Sequence, residues 1–372
     1  MLFCKKTSKL LQYVIGLGLI PGVGDVTAKK LIAYCGSAEA VFKEKKSHLL
    51  KIPGIGAILS QEIATQKVLH KAEAELKFIE DNNIKALFYL DENYPQKLKH
   101  CDDCPIVLYF KGKADLNTAK VISIVGTRSA TSYGKRITKS LIKGLQAYDL
   151  LVVSGLAYGI DAAAHKAALD FNLPTVGVLG HGLDRIYPPM NTVLAQQMLE
   201  NGGLITEFGN GTKPDKENFP KRNRIIAGMS DAVVVVEAAH RGGALITAEI
   251  ALSYNRDVLA VPGTVVSNYS KGCNKLIKQN KAALIESAED IIYSLGWEKD
   301  DQKKTNKQKE IFIELDADEK MVLEYIKNQN TAFIDDIMYG CKLSVSKTAT
   351  ILINLEFKGL IGALPGKKYQ AL

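Results

Sequence analysis

Between residues 121 and 285, short apolar segments alternate with helical ones, and this alternation constrains the fold more than any other feature. We predict strands at residues 121–125, 150–154, 175–179, 204–208, 232–237, 258–261 and 283–285, separated by helices such as 162–170, 193–200 and 244–254. The segment 232–236 is apolar at every position, which is typical of a strand covered on both faces. Helical crossovers between such strands make the sheet parallel. The sequence therefore predicts a doubly wound α/β domain.

The first 66 residues have helical periodicity and contain a near repeat. Residues 20–24 read Ile-Pro-Gly-Val-Gly and residues 52–56 read Ile-Pro-Gly-Ile-Gly, each between two helical segments. This pattern resembles the helix-hairpin-helix motif of DNA-binding proteins, in which N–H groups at the start of the second helix hold a phosphate without reading sequence. An αα-hairpin used only for packing is the alternative. The motif gives four candidate contacts with duplex phosphates: Gly22, Gly24, Gly54 and Gly56.

The C-terminal part predicts a linker and a third domain. Residues 297–310 have almost no apolar content and are typical of a solvated linker. Helical periodicity then follows at 319–328, 334–339 and 344–358, and segments 360–364 and 368–372 favour a short hairpin. Three helices and a hairpin indicate a winged helix, a module that binds either DNA or protein. The predicted organisation is thus residues 1–66, 67–296 and 311–372, with the linker between the last two.

Composition sets the class of protein. The 372 residues are 47% hydrophobic and 24% charged, which is ordinary for a soluble protein of two or three domains. No apolar run reaches the about 18 residues of a membrane span and the N-terminus lacks a cleavage site, so we expect a cytoplasmic protein without membrane contact. The net charge of +8 supports a polyanionic partner. Cys101 and Cys104 have metal-ligand spacing, but no second Cys/His pair follows, so we expect neither metal nor cofactor.

Glycine and polar residues follow the predicted strands at the edge where parallel sheets bind ligands. Gly126-Thr127-Arg128 ends the first strand, Ser154-Gly155 ends the second, and residues 180–184 end the third. Glycine at such a turn lets a ligand approach the backbone, and the planar guanidinium of Arg128 suits a phosphate. The convergence of several such turns predicts a phosphate-binding site.

The segment 209–224 combines cations with an aromatic residue. It is too polar for the core and ends in Lys216-Glu-Asn-Phe219-Pro-Lys-Arg222-Asn223-Arg224. Phe219 is either an anchor for the loop or, beside the glycine turns, a surface on which a nucleotide base stacks. Because Arg222 and Arg224 are two positions apart, we expect one to contact the ligand and the other to brace the loop.

The sequence contains no recognisable catalytic centre. Residues of the right type are present, namely Asp161, His165, Asp184, Glu237 and Glu249. However, there is no Gly-x-Ser-x-Gly elbow, no His-Glu-x-x-His zinc site and no Walker-type phosphate loop. We expect His165 to pack at a helix face as a neutral, hydrogen-bonded side chain, and we expect a protein that is not an enzyme.

Several runs of residues together resemble the DprA/Smf family of DNA-processing proteins, in order over about residues 80–296. They are VSGLAYGIDAAAH at 153–165, GLDRIYP at 182–188, FPKRNRIIAG at 219–228, Thr247-Ala248 and Val261-Pro262-Gly263. The resemblance implies an extended Rossmann-like domain, with the helix-hairpin-helix (SAM-like) and winged-helix modules as accessories seen in some members. It also implies a homodimer that protects incoming single-stranded DNA and loads RecA recombinase onto it during natural transformation, without chemistry of its own.

Carried over by motif, the resemblance gives each site residue a role. Phe219 would stack on a base, while the other members would hold phosphates or line the groove: Arg128, Ser154, Gly155, Lys216, Arg222 and Asn223. One departure is Tyr158, where many members have arginine, so the groove loses a cation or gains a second stacking surface.

One alternative comes from a different class of protein. Residues 241–249, Arg-Gly-Gly-Ala-Leu-Ile-Thr-Ala-Glu, distantly resemble the Pro-Gly-Gly-x-Gly-Thr-x-x-Glu loop of nucleotide-hydrolysing phosphoribohydrolases with a related fold. The proline and the third glycine are missing here. This alternative makes Glu249 the catalytic residue.

Overall fold

The computed structural model describes residues 2–297, 315–329, 331–358, 360–364 and 368–371. The chain forms two compact units, residues 1–300 and 301–372. Among the described residues, no helix is both long and apolar enough to cross a membrane. Residues 298–310 of the predicted linker lie outside the described part of the chain.

The first unit begins with helices. They are α1 Leu2–Gly18, α2 Asp25–Cys35, α3 Ala38–Lys43, α4 Lys46–Leu49, α5 Ala57–Thr65 and α6 Leu69–Asp81. The sequence repeat forms two turns of the same geometry, with φ of 81° at Gly22 and 84° at Gly54, a conformation that favours glycine. Gly24 and Gly56 then precede α2 and α5 as extended N-caps. The two predicted hairpins are therefore present.

The helices share a core with the first strands of the sheet. Buried side chains of α1 and α2, such as Leu17 and Leu31, belong to the same cluster as Ile106 and Tyr109. Helix α6 also packs against α1. The boundary after residue 66 remains a prediction, since packing is continuous across it.

One sheet organises the first unit. Its strands are β1 Lys85–Phe88, β2 Val107–Gly112, β3 Lys120–Val125, β4 Leu150–Ser154, β5 Thr175–Val178, β6 Gly202–Thr206, β7 Ala232–Val235, β8 Asp257–Ala260 and β9 Ala283–Leu284. The order is β1-β2-β6-β5-β4-β3-β7-β8-β9. Strands β3 to β9 pair in parallel, whereas β1 and β2 form an antiparallel extension. The predicted Rossmann-like parallel sheet is confirmed.

The predicted strand 204–208 begins earlier, at Gly202. A Cβ on Gly202 would lie 2.0 Å from the Thr175 carbonyl oxygen, and one on Gly203 would lie 2.4 Å from the Phe110 ring. These glycines let neighbouring strands and side chains approach closely, which strand propensity does not reveal.

Both faces of the sheet are covered by helices. They are α7 Gln96–Lys99, α8 Ser132–Gly144, α9 Ile160–Asp170, α10 Thr192–Met198, α11 Asn218–Met229, α12 Gly243–Ser253, α13 Lys271–Lys278 and α14 Ala288–Leu295. On β7, Val233 and Val235 join the core that contains α11 and α12. Ala232 and Val234 join the core that contains α8, α9 and α14. This alternation explains why β7 is apolar at every position.

The second unit is a winged helix. It consists of α15 Ala317–Gln329, β10 Thr331–Phe333, α16 Ile334–Cys341, α17 Val345–Phe357, β11 Ile361–Leu364 and β12 Lys368–Ala371. The three predicted helices and the hairpin are present. Strand β10 was not predicted, because three residues are too few for a periodic pattern, and it is formed by pairing with β12.

Candidate binding cleft

A cleft of about 600 Å³ opens at the carboxyl ends of the central strands. It lies beside β3. Strands β4, β5 and β6 follow one another on one side of β3 in the sheet, whereas β7 pairs with β3 on its opposite side. The turns after β3 and β7, the start of α11 and the start of α12 line the cleft. This is the topological switch point at which open α/β sheets bind ligands.

An exposed cation and an aromatic ring meet inside the cleft. The guanidinium carbon of Arg128 lies 5.2 Å from the centre of the Phe219 ring, within the range of a cation–π interaction. Gly180 leaves room for this ring, since a Cβ there would lie 3.1 Å from Phe219 Cδ1. The Tyr187 ring lies beside it at 6.2 Å. Arg128 is exposed and Phe219 half-buried, so both side chains are accessible to a ligand.

Arg222 lies beneath this pair rather than at the surface. Its side chain is part of the cleft floor, yet the residue is only 4% exposed. Its Nη1 donates to the carbonyl oxygens of Gly155, at 2.6 Å, and of Val178. Burial lowers the pKa of Arg222 to about 10, against the attraction of Asp161. The guanidinium therefore remains charged near neutral pH and organises the floor.

Ser154 and Gly155 support Arg222 instead of facing the cleft. Ser154 is fully buried, and its hydroxyl donates to the Ile124 carbonyl oxygen at 2.6 Å. A Cβ on Gly155 would lie 2.3 Å from Arg222 Nη1 and 2.6 Å from Asp161 Oδ2. Neither residue is free to make the expected phosphate contact in this conformation. The Ser154 hydroxyl is bonded to the Ile124 carbonyl oxygen, and Arg222 and Asp161 fill the space next to the Gly155 Cα.

Arg224 braces the loop, as one of the two arginines was expected to do. Its Nη2 lies 2.5 Å from Glu207 Oε2 and 3.0 Å from Asp25 Oδ2, and its Nη1 donates to the Asp103 carbonyl oxygen. Burial raises the pKa of Glu207 to about 7, against the attraction of Arg224. The other arginine, Arg222, is expected to contact the ligand, but its side chain is buried in this structure.

Two further predicted residues, Lys216 and Asn223, line the cleft. Lys216 is exposed and lines the cleft. Asn223 is mostly buried and donates from Nδ2 to the Gly243 carbonyl oxygen at 3.3 Å. Asn223 thus connects α11 to the first residue of α12.

Sequence reasoning missed two lining residues, Arg241 and Tyr187. Arg241 is exposed just before α12, in the segment whose sequence resembles a phosphoribohydrolase loop. Together with Arg128 and Lys216 it surrounds the cleft with exposed cations. Among the described residues that line the cleft, one is acidic, namely Asp161, which is buried beside Arg222. The cleft is therefore suited to an anion.

The acidic and histidine candidates do not converge in the cleft. Glu249 lies on α12 outside the cleft lining and forms an ion pair of 2.7 Å with Lys281. Glu237 is buried and accepts from the Thr131 backbone N–H. His165 is buried with Nδ1 2.7 Å from Thr175 Oγ1, and burial lowers the pKa of its ring to about 3. The burial and the hydrogen bond agree with the expectation of a neutral, hydrogen-bonded His165.

Within the described residues, no group of three or more His, Cys, Asp or Glu side chains is arranged to hold a metal ion. Cys101 and Cys104 are buried thiols, and the Lys29 ammonium lies 2.9 Å from Cys104 Sγ. The Cys-x-x-Cys segment thus packs between the helices and the sheet.

The two hairpins differ at the start of their second helices. In the first, Asp25 begins α2, accepts from the Ile106 N–H and pairs with Arg224. A carboxylate there already neutralises the helix N-terminus. In the second, α5 has no acidic residue in its first turn.

A Rossmann-like sheet with a cationic, aromatic cleft at its switch point is an arrangement typical of nucleotide- and nucleic-acid-binding proteins. Residues 85–296 match the family model of DNA recombination-mediator protein A, and residues 312–367 match that of the DprA winged helix domain. The chain belongs to the DprA/Smf family of DNA-processing proteins, whose family model is described as a DNA recombination mediator.

Relatives of known name and structure agree with this assignment. "Protein Smf" of Synechocystis is 34% identical over 96% of this chain and 98% of its own length. "DNA processing protein DprA" of Streptococcus pneumoniae is 41% identical over 55% of this chain and 71% of its own. The X-ray structure of the Streptococcus pneumoniae protein aligns with a TM-score of 0.67, at 34% identity over 77% of this chain and 99% of that one.

A second solved structure concerns DNA binding directly. It is the DNA processing protein A of Helicobacter pylori, described for its single-stranded DNA binding mode. It aligns with a TM-score of 0.52, at 30% identity over 57% of this chain and 95% of that one.

Proposed function

We propose that this protein binds single-stranded DNA in the cleft, protects it, and loads RecA recombinase onto it in the cytoplasm, without catalysing a reaction itself. The observation that carries the proposal is the exposed Arg128 guanidinium over the half-buried Phe219 ring at the switch point of the sheet. A cation next to an aromatic face suits a strand that offers a phosphate and a base together.

In the proposed complex, phosphates lie along the exposed cations Arg128, Lys216 and Arg241. A base stacks on Phe219 and takes the place that the Arg128 guanidinium occupies at 5.2 Å. Arg128 then turns from the ring to a phosphate, exchanging a cation–π contact for a charge-assisted hydrogen bond. Both contacts are independent of base identity, as a protein that receives arbitrary incoming strands requires.

We assign the remaining predicted residues to the support of this site. Gly155 leaves the space in which Arg222 lies, and the Ser154 hydroxyl connects the end of β4 to the Ile124 carbonyl oxygen of β3. Asn223 holds the first turn of α12, whose backbone N–H groups are suited to a phosphate. Arg222 acts on the DNA through the position of Phe219, whose ring centre lies 6.0 Å from its guanidinium carbon.

The proposal includes two protein partners and a second DNA contact. RecA and a second copy of this chain follow from the family resemblance. Duplex phosphates are proposed to bind the second hairpin, at Gly54 and Gly56, since α5 lacks an acidic first turn. The first hairpin, with Gly22 and Gly24, is less suited because Asp25 is adjacent.

The alternative, nucleotide hydrolysis by Glu249, is not favoured. That carboxylate is paired with Lys281 and lies outside the cleft lining. Of the described cleft residues, Asp161 alone carries a carboxylate, and burial raises the pKa of this group beside Arg222. Release of free base from nucleoside monophosphates, abolished by Glu249→Gln, would restore the alternative.

The experiment is fluorescence anisotropy with labelled oligo-dT and a matched duplex, using the full chain, Arg128→Ala and the control Arg185→Ala. Arg185 is a partly exposed arginine paired with Asp184 at 2.6 Å, and it does not line the cleft. We expect tighter binding of the single strand, a loss in Arg128→Ala and none in the control. A preference for duplex, or equal affinity of Arg128→Ala and wild type, would contradict the proposal. RecA filament formation on the bound strand then tests the loading step.

A further inference from the structure

An exposed apolar surface adjoins the mouth of the cleft. Its residues are Tyr158, Tyr187, Met190 and Val193, which are 40%, 42%, 81% and 64% exposed, and of these Tyr187 also lines the cleft; we call these four residues the outer rim. Tyr158 lies in the segment after β4, Tyr187 and Met190 lie in the segment after β5, and Val193 lies in the first turn of α10. Large apolar side chains that cluster at a surface mark an interaction site more often than single ones do.

Hydrogen bonds fix the segments after β4 and β5 to each other and to the Arg128 turn. Asn191 Nδ2 donates to the Leu156 carbonyl oxygen at 2.9 Å, which connects the Met190 segment to the Tyr158 loop. The Ile160 N–H donates to the Thr127 carbonyl oxygen at 3.2 Å. A Cβ on Gly159 would lie 2.2 Å from that same oxygen, so the Tyr158 loop rests directly on the turn that carries Arg128.

Tyr187 belongs to both surfaces. Its ring lies 6.2 Å from Phe219 inside the cleft, while the residue remains 42% exposed. The outer rim is thus continuous with the proposed base-stacking site and is not a separate apolar face. Exposed aromatic rings next to a cationic groove are the arrangement by which proteins hold successive bases of a single strand.

We propose that the outer rim is a second base-stacking subsite, in which Tyr187 and Tyr158 hold the bases that follow the one on Phe219. The proposal rests on the function proposed above, since it extends the same strand beyond the cleft. Stacking requires the aromatic rings and not the hydroxyl groups. The phosphates of these nucleotides remain near Arg128, because the Tyr158 loop contacts the Arg128 turn through Gly159.

The test compares two probes of equal length, oligo-dT and an oligomer of abasic sugar-phosphate units, by fluorescence anisotropy at low salt. The variants are Tyr187→Ala, Tyr158→Ala and the corresponding phenylalanine substitutions. The control is Tyr293→Ala, a tyrosine that is 89% exposed on α14 and does not line the cleft. Because the substituted tyrosines are partly exposed, we expect all variants to fold, and the fluorescence of Trp297 verifies this.

We expect each alanine variant to bind oligo-dT about fivefold or more weakly than wild type, with no change for the abasic probe. The phenylalanine variants and Tyr293→Ala are expected to bind as wild type does. Wild-type affinity of both alanine variants, while Phe219→Ala is weakened, would overturn the subsite and leave the outer rim as a protein-docking surface. An equal loss on both probes would also overturn it. Failure of wild type to bind oligo-dT would refute the proposed function itself.

Discussion

Arg222 is predicted to stabilise the cleft floor. Its replacement should therefore lower the free energy of unfolding, and any effect on DNA binding should follow from that loss. The side chain donates to the carbonyl oxygens of Gly155 and Val178 and lies beside the buried Asp161. In Arg222→Met both carbonyl groups lose a charged donor and Asp161 loses its neighbouring cation. Removing one partner of a buried charged pair costs about 3 to 5 kcal/mol, and we expect the free energy of unfolding to fall by that amount.

A second substitution separates the charge effect from the packing effect. In Arg222→Met/Asp161→Asn neither buried charge remains, so the loss should be smaller than in Arg222→Met, by about 1 kcal/mol or more. The control Arg185→Met removes a partly exposed arginine whose ion pair with Asp184 lies near the surface, and it should change stability by less than about 0.5 kcal/mol.

Urea unfolding followed by the fluorescence of Trp297 measures these changes. Trp297 is the only tryptophan of the chain and packs against the core of the first unit, so its signal reports on the sheet rather than the winged helix. A loss below about 1 kcal/mol in Arg222→Met, or no recovery in the double variant, would refute the structural role. Arg222 would then be better described as a ligand contact.

Three further outcomes are expected. Phe219→Ala should weaken oligo-dT binding by about 1 to 3 kcal/mol while Phe219→Tyr retains it, as measured by anisotropy; an unchanged affinity would leave Phe219 as a loop anchor. The logarithm of the affinity should fall with that of salt by about 0.7 per phosphate contacted, and Arg128→Ala should reduce the slope by about that amount; an unchanged slope would exclude a phosphate contact. The unfolded chain binds a proton at His165 near pH 6.5, whereas the folded ring has a pKa of about 3, so acid favours unfolding. Between pH 7 and 5 the free energy of unfolding should therefore fall by about 2 kcal/mol, and His165→Gln should show a shallower pH dependence in urea unfolding. An unaltered pH dependence in that variant would refute the lowered pKa of His165.

Much of the fold follows from local patterns. The all-apolar segment 232–236 indicates a strand covered on both faces, and Val233 and Val234 do point into different cores. The Pro-Gly-x-Gly repeats specify two identical turns because Gly22 and Gly54 need a positive φ. In both cases the residue types restrict the local backbone to one conformation, so the structure can be predicted from the sequence.

Such patterns do not predict which side chains of the site are buried and which are exposed. Ser154 and Arg222 have the residue types of ligand contacts, yet both are buried by partners that are distant in sequence. Conversely, Arg241 and Tyr187 reach the cleft through loops whose positions depend on the strand order. Which polar residue faces a ligand is decided by tertiary packing, and residue type alone does not determine it.

Photocrosslinking with a bromodeoxyuridine-substituted single strand, mapped by mass spectrometry on the full chain, tests the central claim most directly. We predict crosslinked peptides that contain Phe219 or the turn around Arg128, and their loss when unlabelled oligo-dT competes. Crosslinks confined to the two hairpins or to the winged helix would contradict the account, because the cleft at the switch point would then not be where the strand binds.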